Sequence, residues 1–232
     1  MRHIWGGGEI ALPNVSHCIS ENEVHYNPWT DSRLIITYSV EDGSNPTKLY
    51  NYFSPHIIGN NIFDKIEIDD VEVSISDIDT AEGMYQLPNG EHTVKYTLKD
   101  PTTIAEALFV GCMAIKEVII PDNVETVENM AFDTCSNLLT ATIGSGVRRL
   151  GTDSFYLETN QSVSFYLKST TPPICYDKYD EFETDSYPFE TVDEVVLYVP
   201  SSSLNVYKSA EGWTKYENQL FATPTNSSLG PK

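Results

Sequence analysis

Positive charge is what this sequence has least of. Its 232 residues hold 14 Lys and Arg against 34 Asp and Glu, a formal net charge of −20 at pH 7. Phosphate backbones are bound through basic footprints, so this balance argues against nucleic acid and disfavours docking on anionic membranes. So large an acidic excess keeps an exposed protein soluble. Long apolar runs are missing too: no stretch of 18 apolar residues occurs, and no transmembrane helix is expected. The opening MRHIWGGGEIALPN lacks the apolar core of a secretory signal. Either an export signal has been cut away, or Met1 is the true start and the protein reaches its destination by another route. Cysteine is sparse: Cys18, Cys112, Cys135 and Cys175 contain no C-x2-C pair, so zinc is not expected, although two disulfides would be permitted. Signatures of catalysis are lacking as well, with no G-x-S-x-G, no H-E-x-x-H and no phosphate-binding loop. The glycines at 6–8 follow no strand and read as a leader. His3, His17, His25, His56 and His92 are scattered, without a metal-ligand spacing.

What is present is a core and a repeat. Hydrophobic residues make up 40% of the chain, enough for a sizeable interior. From Ile104 the chain aligns with itself every 23 residues. Ile104, Val127 and Leu150 form one column, and Phe109, Phe132 and Phe155 another. Cys112 matches Cys135, Ile115 matches Leu138, Val118 matches Ala141, Ile120 matches Ile143 and Val124 matches Val147. A fixed period of this size signals a leucine-rich-repeat-like solenoid, in which each row buries its apolar side chains only against the next. KEVII and LTATI alternate as short strands, and PDN or GSG turns follow them. Phe and Cys three apart read as the inward face of a short helix or 3₁₀ turn. Cys112 and Cys135 are then small buried hydrophobes.

These rows carry a resemblance. IPDNVETVENMAFDTCSNL, followed by IGSGVRRLGTDSF, resembles the BspA-like leucine-rich repeats of bacterial surface proteins, and the likeness runs over roughly residues 101–221. FYLKSTTPPI and VVLYVPSSSLNVYKSAEGWTKYENQL are similar to the closing unit of such proteins from gut Bacteroidales. Row one has AEALF where Gly and AF are usual, and row three has lost its Cys and gained a residue. The resemblance implies a secreted or surface-displayed recognition protein, without enzymatic activity or cofactor, that binds an extracellular protein or glycan. The charge balance sets nucleic-acid binding aside, and the want of a long apolar run sets membrane insertion aside.

Around the solenoid, residues 1–22 read as a leader and 223–232 as a tail. Residues 23–100 read as a small antiparallel β domain, similar in GEHTVKYTL to an immunoglobulin-like module. The fold class expected is therefore mainly β, or α+β: a small antiparallel β domain, then a solenoid of 23-residue coils with its cap over 101–222. RLIITYSV alternates at Leu34, Ile36, Tyr38 and Val40, KIEIDDVEVSI alternates on either side of Asp69–Asp70, which suggests a hairpin or a bulge, and an Asn89–Gly90 turn precedes His92, Val94, Tyr96 and Leu98. At the other end VVLYVP is the last strand, Ser201 to Ser203 offer an N-cap, LNVYKSAEG forms a short helix and Trp213 folds over the final coil.

Candidate binding residues fall in two places. The acidic insertion YDKYDEFETDSYPFE at 176–190 supplies Tyr176, Tyr179, Asp180 and Glu181, as inserted loops of repeat proteins often do. The outward positions of the repeat strands supply Lys116, Glu117, Thr140 and Thr142. Tyrosine recurs through 156–216 at Tyr156, Tyr166, Tyr176, Tyr179, Tyr187, Tyr198, Tyr207 and Tyr216, and exposed tyrosine suits recognition. Calcium is the one cofactor the sequence raises, at Asp77, Asp79 and Glu82 or at the acidic insertion. Two other functions compete with adhesion. A virion or tail protein of a phage of gut bacteria would need no export signal. A glycan-active enzyme would need a facing pair of carboxylates.

Overall fold

The computed structural model describes residues 31–51, 62–78, 82–159, 161–175, 177–178, 185–189 and 194–224. The repeat coils as expected. Strands β8 (Ile115–Ile120), β10 (Thr140–Ile143), β12 (Ser162–Leu167) and β15 (Glu194–Val199) lie side by side in parallel. Their register places Val118, Ala141, Phe165 and Leu197 in one inward row, all fully buried. Across the core the short β7 (Thr103–Ile104), β9 (Thr126–Val127) and β11 (Arg149–Leu150) form a second parallel ladder, extended by a bridge from Arg149 to Ile174. The turns after β8 and β10 stack so closely that a Cβ at Gly144 would lie 2.3 Å from the Pro121 oxygen, and one at Gly146 2.1 Å from the Asp122 oxygen. Glycine is required there because backbone meets backbone.

Of the short helix or 3₁₀ turn expected at the Phe and Cys corner, the structure forms three-residue turns and no continuous helix. Residues 106–111 are successive turns, with Leu108 bonded to Ala105 and Cys112 to Phe109. Left-handed residues interrupt them at constant spacing: Ala107, Met130 and Asp153 have φ of 55, 54 and 53°, and Gly111 and Thr134 have 69 and 55°. The left-handed turns aim alternate N–H groups at the neighbouring coil. Ala107, Phe109 and Gly111 donate to the carbonyls of Asn129, Ala131 and Asp133, and Met130, Phe132 and Thr134 donate to those of Thr152, Ser154 and Tyr156. Hydrogen bonds a helix would keep within one turn are thus spent between coils. Inside this corner Phe109 stacks on Phe132 at 5.1 Å and Phe132 on Phe155 at 5.0 Å.

The column has a fourth member that the period conceals. Asp153 and Phe155 donate to the carbonyls of Tyr187 and Pro188, and Phe189 stacks on Phe155 at 5.8 Å. Phe189 lies 34 residues after Phe155, not 23. The extra chain includes a hairpin of β13 (Asp177–Lys178) and β14 (Asp185–Ser186).

The N-terminal strands extend the same sheet. β1 (Leu34–Val40) pairs antiparallel with β8 on one side and with β6 (Gly90–Leu98) on the other, and β3 (Phe63–Ile68) and β4 (Val71–Val73) continue outward. With β16 (Leu220–Ala222) beyond β15, the order is β16-β15-β12-β10-β8-β1-β6-β3-β4. A separate β unit was expected at residues 23–100; its described strands and those of the coils share one sheet and one hydrophobic cluster. A sandwich needs a second facing sheet. Among the described residues the additional pairing in this part is the short ladder of β2 (Thr47–Lys48) with β5 (Met84–Tyr85). Of the hairpin or bulge expected at Asp69–Asp70, the hairpin is present, both residues having positive φ, as the tight turn between β3 and β4 requires.

Both ends of the solenoid are closed by groups that replace a missing coil. At the N-terminal end the backbone N–H of Asn51 donates to the Leu108 carbonyl, its Nδ2 to Ala107, and Lys48 Nζ to Val110. Tyr96 continues the phenylalanine column, 5.4 Å from Phe109, and its hydroxyl reaches the Leu49 carbonyl. At the other end α1 (Leu204–Ser209) carries buried Tyr207, and buried Trp213 donates from Nε1 to the Pro173 carbonyl at 2.8 Å. Trp213 thus covers the last coil as expected. Ser203 occupies the N-cap position of α1 but makes no capping hydrogen bond, because a 3₁₀ turn over Ser201–Ser203 already leads into the helix.

Candidate functional site

Alternate residues of each coil strand point away from the core. The register gathers them into rows that cross the sheet. One row runs Ile119, Thr142, Tyr166, Tyr198 and Phe221 over β8, β10, β12, β15 and β16. A second runs Glu117, Thr140, Ser164 and Val196. Tyr166 and Tyr198 stack at 4.9 Å with 13° between their planes, and Phe221 follows Tyr198 at 6.3 Å. The first spacing equals the distance between neighbouring strands. The two rings therefore face each other along the sheet and turn their edges outward. Partial burial and the neighbouring Tyr198 push the Tyr166 hydroxyl above its ordinary pKa, so at neutral pH it remains a hydrogen-bond donor.

The outer face divides sharply in charge. On its N-terminal half the charges are paired: Arg33 with Asp31 and Glu67, Lys65 with Glu67 and Glu72, Lys95 with Asp70, and Lys116 with Glu91. On β10, β12 and β16, and at Val196 and Tyr198 of β15, the described outward side chains are hydroxyl, aliphatic or aromatic, and uncharged. A chain with 34 acidic residues thus presents a strip where a partner meets no buried charge. Depletion of charge with enrichment of tyrosine is the composition of an interface centre.

The residues singled out in the sequence meet different fates. Lys116 is ion-paired with Glu91 beside this strip. Glu117 and Thr140 are half-buried neighbours in the second row. Thr142 points outward but is only 8% exposed, held between Ile119 and Tyr166. Tyr176, Tyr179, Asp180 and Glu181 lie outside the described residues, as does Asp79. The core residues Phe109, Cys112, Ile115, Phe132, Cys135, Leu138 and Phe155 are all fully buried. Tyr207 and Tyr216 belong to the cap. The sequence did not single out the row ending in Phe221. Its signal was the position of Tyr166 and Tyr198, each beside an inward residue of its strand, Phe165 and Leu197.

Chemistry finds little purchase. Burial pushes the Cys112 thiol up to about 12 and the Cys135 thiol well above its usual value, so neither is a ready nucleophile. Cys135 Sγ instead donates to the Phe109 carbonyl at 3.2 Å. Among the described residues no group of three or more His, Cys, Asp or Glu is placed to hold a metal ion. A cavity of about 510 Å³ between Pro46, Ile78 and Gln86 carries Asp77 as its carboxylate among the described residues, where glycoside hydrolysis calls for a facing pair. No described helix is long and apolar enough to cross a membrane.

Residues 83–172 match the BspA type leucine rich repeat region, in 6 copies. The match covers the coils up to β12 and begins upstream of them, taking in β5 and β6. The coils within this match form a leucine-rich-repeat solenoid similar to that family, whose repeats suggest a protein-interaction module. No curated protein matches the chain.

Proposed function

We propose that the protein is a non-enzymatic recognition module of the bacterial cell surface, and that it binds a protein partner through the outer face of its coil strands. The observation that carries this reading is the uncharged row Thr142, Tyr166, Tyr198 and Phe221 on a chain of net charge −20. The similarity to BspA type repeats favours a surface or extracellular setting. The solenoid supplies rigidity: stacked coils hold the row in place before a partner arrives, so little ordering is left to oppose binding. Stacked tyrosines add rigid contact area with hydroxyls at its margin. A protein partner fits better than a glycan, because the rings cover one face of each other and Thr142 and Phe221 flank the outer faces in the row, so the edges are what a partner meets.

The experiment is a binding panel of purified extracellular-matrix proteins, mucins and a glycan array. It is probed with the wild-type chain and with Tyr166→Ser/Tyr198→Ser, with and without calcium. A saturable protein hit that the double variant loses, with its circular dichroism unchanged, supports the reading. A hit that the double variant retains, or one confined to glycans, contradicts it. A calcium requirement would move the site towards the acidic segments.

A further inference from the structure

The two edges of the nine-stranded sheet are unlike. At one end β4 follows the Asp69–Asp70 turn, and its Glu72 is paired with Lys65. Charge of this kind is how edge strands are guarded against pairing with other chains. At the other end β16 is Leu220, Phe221 and Ala222, without Lys, Pro or acid, and Phe221 is 47% exposed. The hydrogen bonds define which of its groups are open. Leu197 donates to the Gln219 carbonyl, and Thr223 donates to that of Val199. In a parallel ladder this phase turns the amide and carbonyl of Phe221 towards β15 and those of Leu220 and Ala222 away from it. Neither Leu220 nor Ala222 meets a backbone partner on that side among the described residues.

We propose that this edge takes an extended basic polypeptide segment as a tenth strand, which lies beside Phe221 and lengthens the row Tyr166, Tyr198 and Phe221. This rests on the reading of the outer face given above and names the partner's chemistry. Main-chain pairing supplies affinity, and side chains that alternate along the added strand supply selectivity. Charge decides the occupant. A second copy of the chain would bring −20 against −20, whereas a segment with Lys or Arg on its alternate positions is drawn in by the same field.

The test uses the whole chain and three synthetic probes: an alternating Lys-Val peptide, its Glu-Val counterpart, and the Lys-Val peptide with Pro at its central Val positions. The Lys-Val peptide is expected to bind saturably and to slow exchange of the Leu220 and Ala222 amides, while the Glu-Val peptide does not. Pro in the peptide, or Ala222→Pro in the protein, is expected to weaken binding about tenfold, the effect of one or two lost main-chain hydrogen bonds. Pro suits position 222 because its N–H makes no bond to β15, and Ala222→Lys serves as a second variant that repels the basic strand. Equal binding of the Pro peptide would reduce the effect to charge and overturn the proposal. So would equal binding of the Glu-Val peptide, or none by the Lys-Val peptide. Edge protection that rises with protein concentration alone would assign the edge to a second copy and overturn it too. A panel partner lost by Tyr166→Ser/Tyr198→Ser but kept by Ala222→Pro would remove the edge strand and leave the face reading intact.

Discussion

Left-handed backbone at Met130, φ 54°, is expensive for a side chain with a Cβ. It is kept because it turns the Met130 and Phe132 amides onto the next coil. Met130→Gly should therefore raise stability by about 1 kcal/mol in urea titrations, since glycine adopts this conformation freely. Met113, more exposed and with ordinary φ, should gain nothing from the same change. The phenylalanine column should behave oppositely. Phe132→Ala and Phe189→Ala should each cost about 3–5 kcal/mol, because both rings are buried in one stack. Phe132 was legible from the period alone. Phe189 was not, because the insertion before it destroys the spacing, and only the hydrogen bonds from Asp153 and Phe155 restore its place. The left-handed column was equally hidden: Ala107, Met130 and Asp153 share a conformation without sharing a side-chain type.

Between elements, His92 ties the β3–β4 turn to the loop before β6. Its Nδ1 lies 2.7 Å from Asp69 and its Nε2 3.0 Å from the Pro88 carbonyl. Both neighbours are acceptors, so only the doubly protonated ring satisfies both. Burial opposes that charge, but the bonds to Asp69 and Pro88 outweigh it, and the pKa stands above 6.5. The sign follows from linkage: the contribution is complete below about 6.5 and disappears as pH rises through the folded-state value. Unfolding free energies of wild type and His92→Gln should converge with rising pH across that window; a difference that grows would reject the clamp. The stacked turns give a second prediction at this scale. Gly146→Ala should cost about 1–3 kcal/mol by forcing two backbones apart, read as a lower denaturation midpoint. Strands and turns were legible because alternation and Asp69–Asp70 are local signals. At the Phe and Cys corner the sequence left a short helix or a 3₁₀ turn open, because three-residue spacing suits both, and the neighbouring coil decides for separate turns.

Over the whole molecule, an aromatic line passes from Tyr50 and Phe63 through Tyr96 and the phenylalanine column to Phe189, Trp213 and Tyr207. One sheet and one core imply one cooperative transition. Amides of Val94 in β6 and Val163 in β12 should thus share a single opening free energy in native-state hydrogen exchange. Two distinct values would divide the chain into independent units. The repeat was legible at this scale because it is written in columns. The junction was not, since the pairing of β1 with β8 joins strands remote in sequence and leaves no local mark. The outer row was half legible: tyrosine was abundant, but which tyrosines line up depends on the register of β12 against β15. Recognition through that row is the central claim, and titration of a panel partner with three proteins tests it most directly. Tyr198→Ser should weaken binding by about tenfold or more, as loss of a central aromatic contact does, while Lys116→Ala at the margin changes it little. Equal losses in the two variants, or a larger loss in Lys116→Ala, would contradict it.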